Sequence, residues 1–130
     1  MVEENKNFNN IQVKYKWDNF VKPVIESTKS EFKIDLNKSL LLQELVYSTV
    51  SQYGSSKATE IIKNANLKES MSEIEILNAI QDEKANSLGV YTYTDAESYN
   101  DSYREKIKAR INSEKLELTK LAGQEAYIIK

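Results

Sequence analysis

Three glycines and a single proline in 130 residues constrain this chain more than any other feature, because tight turns draw on those two residues first. Alternating β-branched residues appear only in scraps such as "GVYTYT", residues 89–94, so hairpins have little to build on. Apolar residues instead recur at steps of three and four, the mark of helices that bury one face. The expected fold is all-α, one domain over 1–130.

Six helices are expected. The first covers 6–19, with Phe8, Ile11, Tyr15 and Asp18 along one side. Pro23 then forces a new start, because its missing N–H is tolerated only in a first turn. A second helix over 20–32 therefore carries Val21, Ile25 and Phe32. In the loop 33–39, Asp35 or Asn37 is placed to cap the next helix. That third helix, 38–53, is the most apolar segment: Leu42, Val46, Val50 and Tyr53 repeat at helical spacing, and Leu41 and Leu45 widen the face. It should be the central helix.

Gly54 stops it, and a short helix comes next, capped by Ser55 or Ser56 and buried through Ile61, Ile62 and Ala65. Two overlapping S-x-x-E boxes, Ser70 with Glu73 and Ser72 with Glu75, precede Ile76, Leu77 and Ile80. Gly89 closes that helix. A long one over 95–121 carries Tyr103, Ile107, Ile111, Leu118 and Leu121, with Gly123 as its stop, and the tail packs back through Tyr127 and Ile128. No heptad pattern persists for several turns, so an irregular bundle around the central helix is expected rather than a coiled coil.

Cysteine and histidine are both absent. Disulfides, zinc sites built on those ligands and Ser-His or Cys-His mechanisms are thereby excluded, and no cofactor or metal is expected. Net charge is −2 with Lys and Glu interspersed, so no basic face points to nucleic acid. No apolar run approaches the roughly 20 residues that span a bilayer, and "MVEENKNFNN" lacks the apolar core of a signal peptide.

Along the central helix, Glu44, Ser48 and Gln52 form a polar stripe at steps of four, flanked by Tyr47, Thr49 and Tyr53. Such a stripe is either a solvated face or the wall of a cleft. Four of the eight tyrosines, Tyr91, Tyr93, Tyr99 and Tyr103, crowd one stretch, suiting sugar stacking, core edges and interfaces alike. Asp82, Glu83 and Arg110 are expected to form a structural ion pair. Glycoside hydrolysis needs a general acid with a raised pKa and usually a second carboxylate; no pair of that kind can be picked out among twenty acidic residues, so the catalytic residue is unknown.

"LLLQELVYSTVSQYG" resembles the central segment of lysozyme-like, chitosanase-related domains of phage endolysins and secretion-spike peptidoglycan hydrolases. There a helix of the form "alQ-x-v-x-S-t-a-v-Q-h-G" recurs, matched here by Gln43, Val46, Ser48, Thr49, Gln52 and Gly54, with Tyr53 where His is usual. "FNNIQVKYKWDNFVKPV" is similar to the preceding helix pair. "SEIEILNAIQDEK" resembles a segment ending in Y-D-E-R, with Gln81 and Lys84 at its first and last positions, and Arg110 and Glu114 match a last helix. The resemblance spans about 8–122. It implies the C-terminal helical lobe of a hydrolase acting on peptidoglycan or a related amino-sugar glycan at the cell wall, with Glu44, Tyr47, Ser48, Thr49, Gln52 and Tyr53 contributing to the substrate cleft. The family's catalytic Glu would lie upstream, so an N-terminal lobe is an expected partner, and the lobe alone is expected to be inactive. The alternative is a non-catalytic helical module that binds a protein partner or associates with itself.

Overall fold

A computed structural model describes residues 11–86 and 101–127, the side chains of 101–103 aside. These residues form an all-α bundle. Helix α1 (Ile11–Lys16) runs through a π-helical stretch, Trp17–Val21, into α2 (Lys22–Phe32); α3 (Leu40–Tyr53), α4 (Ser55–Asn64), α5 (Glu73–Asn86) and α6 (Asp101–Thr119) come after it. Counting the first three pieces as one rod, the described residues hold five. The expected elements at 6–10 and 95–100, Gly89, Tyr91, Tyr93, Tyr99 and Ile128 lie outside the described residues, as does the side chain of Tyr103.

Pro23 does not break the first rod as expected. The N–H of Lys22 reaches five residues back to the carbonyl of Trp17, and this wider turn delivers Pro23 to the start of α2, where no N–H is required. Trp17 and Val21 turn inward from the π stretch, while Phe20 stays half-exposed. At its other end α2 stops at Lys33, which takes a left-handed conformation with φ 62°.

The cap of α3 is Ser39, not Asp35 or Asn37. Its hydroxyl accepts the N–H of Leu42 at 3.2 Å, a first-turn donor with no partner inside the helix. Asp35 instead accepts the N–H of Asn37 at 2.9 Å, and Asn37 accepts from the Gln43 side chain. Leu41, Leu42, Leu45 and Val46 have no exposed surface, so α3 is the core of the bundle, touched by the π stretch and by α4, α5 and α6.

Gly54, at φ 85°, both ends α3 and starts α4. Neither Ser55 nor Ser56 makes a side-chain cap there; the Ser55 hydroxyl donates to the carbonyl of Phe20 at 2.8 Å, tying α4 to the π stretch. Of the two boxes ahead of α5, the one that forms is reciprocal between Ser72 and Glu75, at 3.1 and 3.2 Å. Glu73 is thereby left to accept the N–H of Gly123, a contact across 50 residues. Among the described residues α5 and α6 share the broadest helix contact, and Ile111, Leu118 and Leu121 bring the α6 side of the chain into the core.

Candidate functional site

The polar stripe on α3 faces α6 across a groove of about 390 Å³, lined by Glu44, Tyr47, Ser48, Ser51 and Gln52 on one side and by Glu114, Glu117 and Leu118 on the other. Glu44 is buried in it, Ser48 is half-buried and Gln52 is exposed. Four of the six residues assigned to a cleft, Glu44, Tyr47, Ser48 and Gln52, do line it. Thr49 and Tyr53 do not: the Thr49 hydroxyl donates to the Leu45 carbonyl at 2.7 Å inside its own helix, and Tyr53 is buried in the core.

Glu114 is the hub of the groove. One carboxylate oxygen accepts from the Ser48 hydroxyl and, at 2.8 Å, from the Gln52 amide, which also donates to Ser48 at 3.2 Å. The other oxygen accepts from the Gln81 amide at 3.1 Å and from Lys84 Nζ at 3.2 Å. Gln81 also holds the Ile111 carbonyl at 3.1 Å. Three helices therefore meet at one carboxylate. The cation completing the hub is deeply placed: the Lys84 side chain has 0% exposure against 19% for Glu114, and its ammonium also lies 5.9 Å from the centre of the Tyr53 ring.

Burial pushes the Glu114 carboxyl up, but the neighbouring Lys84 charge and hydrogen bonds from Ser48, Lys84 and Gln52 outweigh it and hold the group below its ordinary value. Burial likewise pushes the Lys84 amine down, with Glu114 opposing. At neutral pH the carboxylate is ionised with its acceptor sites occupied. On the same wall, burial and then the Glu44 charge raise the Tyr47 hydroxyl, and Lys16 Nζ sits 5.1 Å from the centre of the Tyr47 ring.

Asp82 and Arg110, expected with Glu83 to form a structural ion pair, are exposed; among the described residues the buried ion pair is Lys84 with Glu114. Each of these two interrupts an apolar helical stripe, Lys84 after Leu77 and Ile80, Glu114 between Ile111 and Leu118. Opposite charges set into two apolar stripes were the signal available in the sequence, because neither charge can be buried without the other.

No curated protein and no solved structure matches this chain. A family model does, over residues 1–115, and its description is type VI secretion system spike protein VgrG3-like, C-terminal. That match overturns the assignment to a lysozyme-like peptidoglycan hydrolase lobe: the family found is a spike-protein domain, and the glycan partner, cell-wall action and expected N-terminal catalytic lobe rested on the resemblance alone. With the greater part of its length matched, the chain belongs to the type VI secretion system spike protein VgrG3-like, C-terminal family.

Proposed function

We propose that this chain is a non-catalytic helical interaction module that associates with other components of the type VI secretion spike. The observation that carries the reading is the hub at Glu114: the Ser48, Gln52 and Glu114 side chains of the cleft are engaged in joining α3, α5 and α6. On the α1 and π-helical side of the bundle, Ile11, Tyr15 and Phe20 are exposed at 87%, 63% and 44%, and the Tyr15 and Phe20 rings lie edge to face with centroids 6.2 Å apart. Exposed aromatic anchors of this kind suit a protein partner.

The test is co-purification and light scattering of the full chain with the remaining spike components of its own secretion system. A defined complex is expected, weakened at least about tenfold by the double change Tyr15→Ser and Phe20→Ser, in line with the loss of two interface aromatics. Failure to associate with any spike component, or hydrolysis of cell-wall glycan by the chain, would overturn the proposal.

A further inference from the structure

The start of α3 carries a second polar device, separate from the groove. Gln43 has no exposed surface, and its side-chain amide meets both backbone groups of Tyr127: Nε2 donates to the carbonyl at 2.9 Å and Oε1 accepts the N–H at 2.6 Å. The remaining amide hydrogen goes to Asn37. This paired donor and acceptor is what a neighbouring β-strand residue offers. Two further contacts extend the pattern, the Leu40 N–H to the Gln124 carbonyl at 3.3 Å and an antiparallel bridge between Ser39 and Glu125. The segment 124–127 is therefore docked as a strip held through its backbone, with the Tyr127 side chain packed against the core.

Such a seat must be filled, because a buried carboxamide stripped of its partners is costly. Its recognition is blind to which molecule supplies the strip. The connection from α6 is a tight turn: Leu121, Ala122 and Gln124 donate to Leu118, Thr119 and Leu121 at 2.9, 3.1 and 3.2 Å, and Gly123 takes φ +82°, a conformation that costs other residues energy. Opening this turn, together with the contact of the Gly123 N–H with Glu73, carries the strip away from its own seat.

We propose that the seat formed by Ser39, Leu40 and Gln43 also accepts the 124–127 strip of a second copy, so that two chains join by exchanging tails. The inference rests on the interaction-module reading and adds to it one partner, an identical chain. Gly123 is the lever. A Cβ there meets nothing within 4 Å, so Gly123→Ala penalises the closed turn through its backbone conformation and not through a clash. In the exchanged form the connection is extended and the penalty is released.

The test compares full-length wild type, Gly123→Ala and Gln43→Leu by light scattering from micromolar to millimolar concentration. Gly123→Ala is expected to raise the dimerisation constant by about tenfold or more, with a turn penalty lifted in each of two chains, while the Tyr127 amide stays protected from hydrogen exchange. Gln43→Leu is expected to lose the dimer and the protection together. Because Gln43→Leu can also perturb folding, a second measurement leaves the seat intact: a spin label on Glu125→Cys in one chain is expected to broaden amide signals around Gln43 in an isotope-labelled second copy. Tail exchange is overturned by a Gly123→Ala chain no more dimeric than wild type, by a dimer that survives Gln43→Leu, or by no broadening between copies. No spike component is present in these samples, so a negative result removes tail exchange and leaves spike association to its own test.

Discussion

Lys84 and Glu114, 3.2 Å apart, place a fully buried ammonium against a carboxylate that still has 19% of its side chain exposed. The two ends are not equivalent. Glu114 keeps Ser48, Gln52 and Gln81 as donors if Lys84 is removed, whereas Lys84 has no other carboxylate at salt-bridge distance among the described residues.

The two single substitutions therefore carry unequal costs. Glu114→Ala strands a buried cation and is expected to cost about 3–5 kcal/mol. Lys84→Met leaves a hydrogen-bonded, partly solvated carboxylate and is expected to cost less, about 1–3 kcal/mol. Urea denaturation of both variants, with the double variant Lys84→Met and Glu114→Leu recovering part of the loss, checks the order.

Acid should loosen the hub. Burial works against the ionised Glu114, but Lys84 and the hydrogen bonds bring its folded value below the ordinary 4.5. A carboxyl depressed on folding contributes stability that is complete above its unfolded value and is lost as pH falls through the folded one. Lys84, lowered from 10.5 chiefly by burial, has the opposite sign: folding disfavours its proton, and that penalty lifts as pH rises from the lowered value toward the unfolded one. Denaturation midpoints are therefore expected to decline below about pH 4.5, the unfolded glutamate value, with a shallower decline in Glu114→Gln.

The core position of α3 sets a further expectation. Leu45 and Val46 have no exposed surface, so Leu45→Ala and Val46→Ala should destabilise by about 2–4 kcal/mol, valine at the lower end. A loss under about 0.5 kcal/mol in chemical denaturation, the range of surface changes, would place α3 at the surface instead.

At α5 the reciprocal Ser72–Glu75 box is exposed but satisfies two backbone donors. Ser72→Ala is expected to cost about 1 kcal/mol in thermal or chemical unfolding. Ser70→Ala, at the box that does not form, is expected to change stability by less than about 0.5 kcal/mol.

Features that depend on local pattern were legible in the sequence. The scarcity of turn formers pointed to helices, the 42, 46, 50, 53 repeat marked the central one, and the 44, 48, 52 spacing put three cleft residues on one line. Pairings across the fold were not legible. The partner of Ser48 is 66 residues away and that of Gln43 is 84 away, and no period relates them. Thr49 and Tyr53 escape a reading by spacing because a helix neighbour of a cleft residue can turn inward. Asp82, Glu83 and Arg110 stand close to a buried stripe, but Lys84 and Glu114 lie on the stripes themselves. The family resemblance rested on short motifs, which helical spacing alone reproduces.

The hub account turns on the proton of Glu114. Carbon-detected NMR titration of the Glu114 side-chain carboxyl reads it directly. A midpoint below the ordinary glutamate value of 4.5, moving upward in Lys84→Met, is the result expected of a carboxylate committed to holding helices together. A midpoint above that value, with the carboxyl still protonated near neutral pH, would contradict the account.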